Sequence, residues 1–443
     1  MKRQAESDLK VWFQKKDRTP LIIRGARQVG KTTLVRQFCK NESLDLLEIN
    51  LEYSPLKSEL KMEAILDEIE LLTKKKIGER SILFLDEIQE SPSLIKFLRY
   101  FYELRPDIAV IAAGSLLEIV INEGEYSFPV GRVSFYYLGP MTFIEFLLAV
   151  KEEQLAEKLM NGDPPSEAVH QLCLGYLKKF FYLGGMPKVI ATYLAQGSME
   201  PVREVQEQII QTYMADFPKY KKRVDVRRMG RIFNSAALSI GKKINYQALD
   251  RESSSRDIKR IFELFIDARI VLAAIHTEAS GTPLLATQDD SIFKYFFLDI
   301  GLLNCIHRLD YNNLQDEFKN NFVTKGFLAE QFVAQHLLFF DGHTFTPKLN
   351  YWLRDKGTQK GEIDFVLEHK STIWPIEVKA ESGGKLKSLF YFSAEKKIPH
   401  GIKFSLAPWA QKKITHKIYG VQVEVALLEL PLYLVEVLRK YLP

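Results

Sequence analysis

The chain has 443 residues, 46% hydrophobic and 26% charged, which suits about two to four folded domains and excludes a disordered or collagen-like chain. A net charge of +5 is too mild to make the whole surface basic, so any nucleic-acid-binding face must come from local clustering. Three scattered cysteines (Cys39, Cys173, Cys305) give no metal-ligand spacing, the first eight residues lack the apolar core of a signal peptide, and no uncharged apolar run reaches the length of a membrane span; together these predict a cytoplasmic protein with no membrane partner.

In chain order, Leu21-Ile22-Ile23 reads as a buried strand and Thr32 to Phe38 as the start of a helix. Between them, Gly25-Ala26-Arg27-Gln28-Val29-Gly30-Lys31-Thr32 matches the phosphate-cradling pattern G-x-x-x-x-G-K-[ST] in full, with Thr33 following. Backbone N–H groups at a helix N-terminus form a partly positive concavity that suits a polyphosphate. Gly25 and Gly30 allow the close turn, Lys31 can reach the β- and γ-phosphates, and the Thr32 hydroxyl can ligate Mg²⁺. ATP and Mg²⁺ are therefore the expected ligands.

The run to residue 140 alternates strand and helix signals: a strand at 46–51, a helix at 59–76, an apolar strand at 81–87, a helix at 93–103 and a central strand at 108–115. Such a rhythm predicts an α/β domain with an open parallel sheet and its ligand at the carboxyl ends of the strands, where Gly25, Asp86 and Ser115 fall. Asp86 and Glu87 close their strand in the order expected of a magnesium-organising aspartate and a water-activating glutamate. Ser115 is placed to sense the γ-phosphate or the attacking water, unless it simply ends a strand. Arg132, after Gly131, is the first choice for a mobile positive charge, with Arg27, Arg99 and Arg105 as rivals. Action in cis and action across a subunit boundary in a homo-oligomer both stay open.

Residues 140–200 turn helical and are expected to form a lid, completing an ATPase segment over residues 1–200. From 201 to 305 a dense basic stretch (Lys219-Tyr220-Lys221-Lys222-Arg223, then Arg227, Arg228, Arg231) precedes helix signals at 228–240, 246–249 and 255–268. Apolar runs at 270–275 and 292–298 follow. Helix, short helix, helix, hairpin is the order of a winged helix-turn-helix. Arg256, Lys259 and Arg260 would then join the basic stretch in contacting DNA phosphates, the plainer alternative being a charged solvated helix. Residues 306–443 read as a smaller, separate α/β domain: a helix at 325–340, then strands at 350–353, 362–367, 372–378, 402–405 and 421–426.

Taken together, Arg24 to Thr33, Phe84-Leu85-Asp86-Glu87-Ile88-Gln89, Ala113-Gly114-Ser115, Val130-Gly131-Arg132-Val133 and Leu183-Gly184-Gly185-Met186-Pro187 resemble a bacterial and archaeal family of AAA-type ATPases. The resemblance spans about residues 11 to 426. It implies a P-loop NTPase module followed by a C-terminal region of unknown function that looks like a winged helix leading into a restriction-endonuclease-like fold.

In that last segment Gly361-Glu362-Ile363-Asp364-Phe365 and Pro375-Ile376-Glu377-Val378-Lys379 would place Asp364, Glu377 and Lys379 on one face of two adjacent antiparallel strands. Glu330, one helix upstream, could complete a shell for a second Mg²⁺ or Mn²⁺, and two carboxylates beside an ammonium can activate water for phosphodiester cleavage. This looks like the Asp…Glu-x-Lys site of restriction-endonuclease-like nucleases. A solvated cross-strand pair is the plainer alternative, and with it a nuclease-like fold that no longer cuts and serves as a protein-interaction platform.

Overall fold

The computed structural model describes all residues except 55–61, 116, 118–128, 130, 221–224, 313–325, 355–359 and 381–385. These group into two compact units: Met1–Pro140 with Leu264–Ile270 and Asp341–Pro347, and Met141–Glu263 with Val271–Phe340 and Lys348–Pro443. Residues 141–200, expected as a lid on the nucleotide-binding sheet, fall within the second unit.

Within the first unit, strands β1 (Leu21–Arg24), β2 (Asp45–Asn50), β3 (Ser81–Asp86), β4 (Ala109–Gly114) and β5 (Ser134–Tyr137) form one sheet in the order β2-β3-β4-β1-β5, with every pairing parallel. Every residue of β3 and of β4 is buried, as continuous apolar strands must be when both faces are covered. Their side chains pack with Ile65 and Ile69 of the helix Met62–Thr73 and with Leu94, Leu98 and Phe101 of the helix Pro92–Leu104. Each fully buried side chain of this kind stabilises by roughly 1.5–3 kcal/mol, so the carboxyl edge of the sheet is held by a large core. Register aligns that edge: Arg24 lies beside Gly114, and Asp86 beside Ala113. The loop, the paired acids and Ser115 therefore follow strand ends that are neighbours.

The second unit opens with helices, among them Phe143–Ala149, whose start is fixed by a reciprocal cap between Thr142 and Glu145. Helices Val226–Ala237, Tyr246–Leu249 and Ser255–Asp267 follow in the order the sequence predicts. Asp225 caps the first through the N–H groups of Arg227 and Arg228 (2.8 and 3.1 Å), and the Ser254 hydroxyl accepts from Asp257 N–H (3.2 Å) at the start of the third. Strands β6 (Val271–Thr277) and β7 (Gln288–Phe297) pair antiparallel as the hairpin requires. The hairpin does not stand alone, however. The other edge of β6 pairs in parallel with β8 (Leu349–Arg354), which pairs with β9 (Gly361–Ile363), so one sheet draws strands from both sides of residue 305.

A second sheet in the order β10-β11-β12-β14-β13 is built from Phe365–His369, Thr372–Val378, His400–Ser405, Val421–Pro431 and Ala410–Ile418 respectively. Strand β13 and the helix Lys387–Lys396 were not read from the sequence. The strand expected at 362–367 is broken at Asp364, where the chain leaves β9 and enters β10. All three cysteines are buried and free, and among the described residues no helix is long and apolar enough to cross a membrane.

Candidate functional site: a phosphate loop and a closed carboxylate cluster

The loop between β1 and the helix Lys31–Asn41 has the backbone that its glycines predict. Gly25 takes φ +149°, and a Cβ built there would lie 2.1 Å from the carbonyl oxygen of Leu138. Gly30 takes φ +96° at the helix N-terminus, and Gln28 is left-handed at +64°. Ala26 and Val29 are buried, Arg27 is half-buried and Thr33 exposed. Arg3, which sequence reading missed, buttresses the loop from outside: its guanidinium donates to Val29 O (3.0 Å) and Gly139 O (2.9 Å).

Lys31 is 7% exposed and its ammonium donates to Gly25 O and Ala26 O (2.9 and 3.0 Å), folded back over the loop it would share with phosphates. The Thr32 hydroxyl donates to Asp86 Oδ2 (2.8 Å), which brings together two hard oxygens of the kind Mg²⁺ takes. That pair fits the ion the loop implies. Burial, countered by the Thr32 hydrogen bond, leaves the Asp86 carboxyl above its ordinary range.

Glu87 adopts left-handed backbone (φ +53°), a conformation that costs a non-glycine residue about 1–3 kcal/mol and tends to persist where the surroundings need it. Its carboxylate accepts a 2.6 Å bond from the Gln89 side-chain amide, while Gln89 Oε1 is buried with no hydrogen-bond partner among the described residues. Gln89 closes the Phe84–Gln89 motif, and its position two residues past Glu87 is the sequence signal for this contact. Ser115 is buried at the end of β4. Arg132 lies at the surface in an ion pair with Glu103 (3.0 Å), and the rivals Arg99 and Arg105 pair with Glu103 (3.0 Å) and Asp107 (2.7 Å). Val130 of the same motif lies outside the described residues.

In the second unit, Glu330, Asp364, Glu377 and Lys379 lie near a residue the sequence reading passed over. Lys294 of β7 is completely buried, and its ammonium lies 2.9 Å from Glu362, 3.3 Å from Glu330 and 3.7 Å from Asp364. Asp364 Oδ2 accepts from Val378 N–H (2.7 Å), and the Lys379 ammonium pairs with Glu377 (2.5 Å). Lys379 sits one residue beyond β11, its N–H donating to Phe404 O (2.8 Å). Glu377 Oε1 is buried with no hydrogen-bond partner among the described residues.

Burial first, and the neighbouring Asp364 carboxylate after it, raise both the Glu330 and the Glu377 carboxyls above the ordinary range. Burial would lower Lys294, but the three carboxylates outweigh it and leave the ammonium above an ordinary lysine. Among the described residues no group of three or more His, Cys, Asp and Glu is arranged to hold a metal ion. The carboxylates meet on an ammonium instead, and the second metal expected from sequence finds no support.

The basic surface is also more self-paired than its sequence suggested. Arg228 bonds Asp257 (2.9 Å), and Arg231 bonds Asp250 (3.0 Å). Arg256, Lys259 and Arg260 are exposed on the helix Ser255–Asp267, with Lys259 4.0 Å from Glu263. Lys221, Lys222 and Arg223 lie outside the described residues.

Comparison with known proteins agrees with the first site. Residues 17–147 match a family described as an AAA domain. Residues 175–313 and 325–419 match two families described only as domains of unknown function (DUF8612 and DUF4143). No match is found among proteins of curated function. Among solved structures, the ORC2 protein of Aeropyrum pernix in its ADPNP–ADP complexes is 13% identical, covers 72% of this chain and 96% of its own, and superposes with a TM-score of 0.33. The RuvB Holliday junction branch migration motor of Thermotoga maritima is 15% identical, covers 64% and 90%, and has a TM-score of 0.30. Likenesses this distant carry no further argument. The family match, the all-parallel sheet and the phosphate loop agree on an AAA-type P-loop domain over residues 17–147.

Proposed function

We propose that this chain binds and hydrolyses ATP with Mg²⁺ and couples its nucleotide state to a DNA-contacting C-terminal half. The observation that carries the ATPase reading is the 2.8 Å bond from Thr32 to Asp86 beside Lys31, at the carboxyl edge of a parallel sheet. The loop amides from Ala26 to Thr33 would hold the phosphate tail, and Lys31 would exchange its two carbonyl partners for β- and γ-phosphate oxygens. Thr32 and Asp86 would hold Mg²⁺, which supplies charge neutralisation on the phosphates when bound. Glu87 would orient the attacking water and accept its proton, Ser115 would contact the γ-phosphate, and Arg132 would have to leave Glu103 to act on the transferring group.

In this reading residues 1–200 carry the ATPase function, 201–305 a winged helix-turn-helix and 306–443 a restriction-endonuclease-like domain. The helix order, the β6–β7 hairpin and the exposed Arg256, Lys259 and Arg260 support DNA contact. For the C-terminal domain the Lys294 ion network favours the second reading, a nuclease-like fold that does not cut and serves as an interaction platform. The test is steady-state phosphate release by purified chain with and without Mg²⁺. Turnover that requires Mg²⁺ and vanishes in Lys31→Ala supports the proposal, and turnover that survives Lys31→Ala rejects it.

A further inference from the structure

The carboxylates of Glu330, Glu362 and Asp364 come from three places in the second unit: the helix Gly326–Leu337, strand β9 and the bend after it. Carboxylates from separate elements that converge often surround a hard divalent cation, although with the ammonium between them these are not arranged to hold one. Here they surround the end of one side chain. A lysine ammonium has three N–H donors and no acceptor, so it can satisfy three acidic neighbours at once. Lys294 donates to Glu362 (2.9 Å) and Glu330 (3.3 Å) and forms a longer ion pair with Asp364 (3.7 Å).

Aromatic rings lie near the ammonium as well. Its nitrogen lies 5.6 Å from the ring centre of Phe296, 5.4 Å from Tyr351 and 5.2 Å from Phe365, near enough for each ring face to favour a cation. Strand β7 runs buried from Phe293 to Phe297, so Lys294 is delivered by a packed strand and not by a loop that could swing aside. The remaining carboxylate, Glu377, keeps its own ammonium, Lys379.

We infer that Lys294 is a tethered cation that takes the place of a divalent metal and closes the Glu330–Glu362–Asp364 cluster to one. The cluster is then an ion lock that joins β7 to the helix Gly326–Leu337 and to β9, and it has no vacancy for a catalytic metal while the ammonium stays caged. This inference does not depend on ATP turnover and stands or falls separately from it.

The test is a Mn²⁺ titration of full-length, nucleotide-free protein, following free Mn²⁺ by electron paramagnetic resonance. Lys294→Met keeps the stem and removes the charge, so it should bind one Mn²⁺ per chain more than wild type, and the added site should vanish in Lys294→Met/Asp364→Asn. Mn²⁺ should raise the thermal midpoint of Lys294→Met by more than that of wild type. Two results overturn the inference: an Asp364-dependent Mn²⁺ already bound by wild type, or a Lys294→Met chain with wild-type circular dichroism that gains none. Should Lys294→Met fail to fold, Lys294→Met/Glu362→Gln removes one acid with the ammonium and is read the same way. If neither variant folds even with Mn²⁺ supplied, the two cations are not interchangeable and the inference fails.

Discussion

Gly25→Ala is the sharpest test of the phosphate loop, because the structure states what the methyl group would meet. A Cβ at Gly25 would lie 2.1 Å from Leu138 O, whereas real Cβ contacts essentially never fall under 3.0 Å, so the carbonyl must retreat by roughly 0.9 Å. It has little room to do so. Leu138 N–H donates to Arg24 O (2.8 Å), and the next carbonyl, Gly139 O, accepts from Arg3 (2.9 Å). Overpacking of this kind costs about 1–3 kcal/mol, and a backbone φ of +149° adds about 1–3 kcal/mol for an alanine. A total near 3 kcal/mol would lower the urea midpoint of the chain. If half of it falls on the loop geometry that grips phosphate, ATP binding weakens by about tenfold. Urea unfolding followed by tryptophan fluorescence, with titration of a fluorescent ATP analogue, measures both. An alanine variant with the wild-type midpoint and affinity would show that the close approach of Gly25 to Leu138 is not what shapes the loop.

Thr32→Val keeps the shape of the side chain but removes the hydroxyl bonded to Asp86, so ATP turnover should need at least about tenfold more Mg²⁺ for half-saturation, read from phosphate release across a Mg²⁺ series. Burial raises the Glu377 carboxyl to about 8 from the ordinary 4.5. The group holds its proton more tightly folded than unfolded, so its contribution to stability is fully present below about 4.5 and lost as pH rises through about 8. The denaturation midpoint should therefore fall as pH rises from about 4.5 to about 8 and level off above it, and Glu377→Gln, which has no proton to lose, should flatten the fall; an unchanged slope would refute the assignment. Arg256→Ala/Arg260→Ala should weaken DNA binding to any sequence and reduce the slope of log affinity against log salt by about 2 if both touch phosphates, and a fluorescence anisotropy series in salt would show no change if that helix faces away from DNA.

The phosphate loop was legible in sequence because its pattern is local. Gly25 to Thr32 is one contiguous loop, and Asp86 with Glu87 ends a strand whose unbroken apolar run already said that it was buried on both faces. Parallel pairing then had only to bring two strand ends together. The carboxylate cluster was half legible for the opposite reason. Asp364, Glu377 and Lys379 lie close in sequence, but Lys294 is delivered by a strand 36 residues before Glu330, through a sheet that no local pattern announces. Its signal was present, a single charge inside the apolar run Phe293-Lys294-Tyr295-Phe296-Phe297, and such a charge must find acids if the strand is buried. Strand β13 was missed because its pattern is mostly exposed, with Lys412, Lys413 and Lys417 toward solvent, as suits a sheet edge that must not pair further. Basic residues alone could not reveal that Arg228 and Arg231 already hold Asp257 and Asp250.

The central claim is that Glu87 activates water at a site where Lys31, Thr32 and Asp86 grip Mg²⁺ and ATP. Glu87→Gln keeps the shape and removes the base, so equilibrium ATP binding with Mg²⁺ should match wild type while single-turnover hydrolysis falls by about 10²–10⁴-fold. Hydrolysis by Glu87→Gln at the wild-type rate would contradict the account.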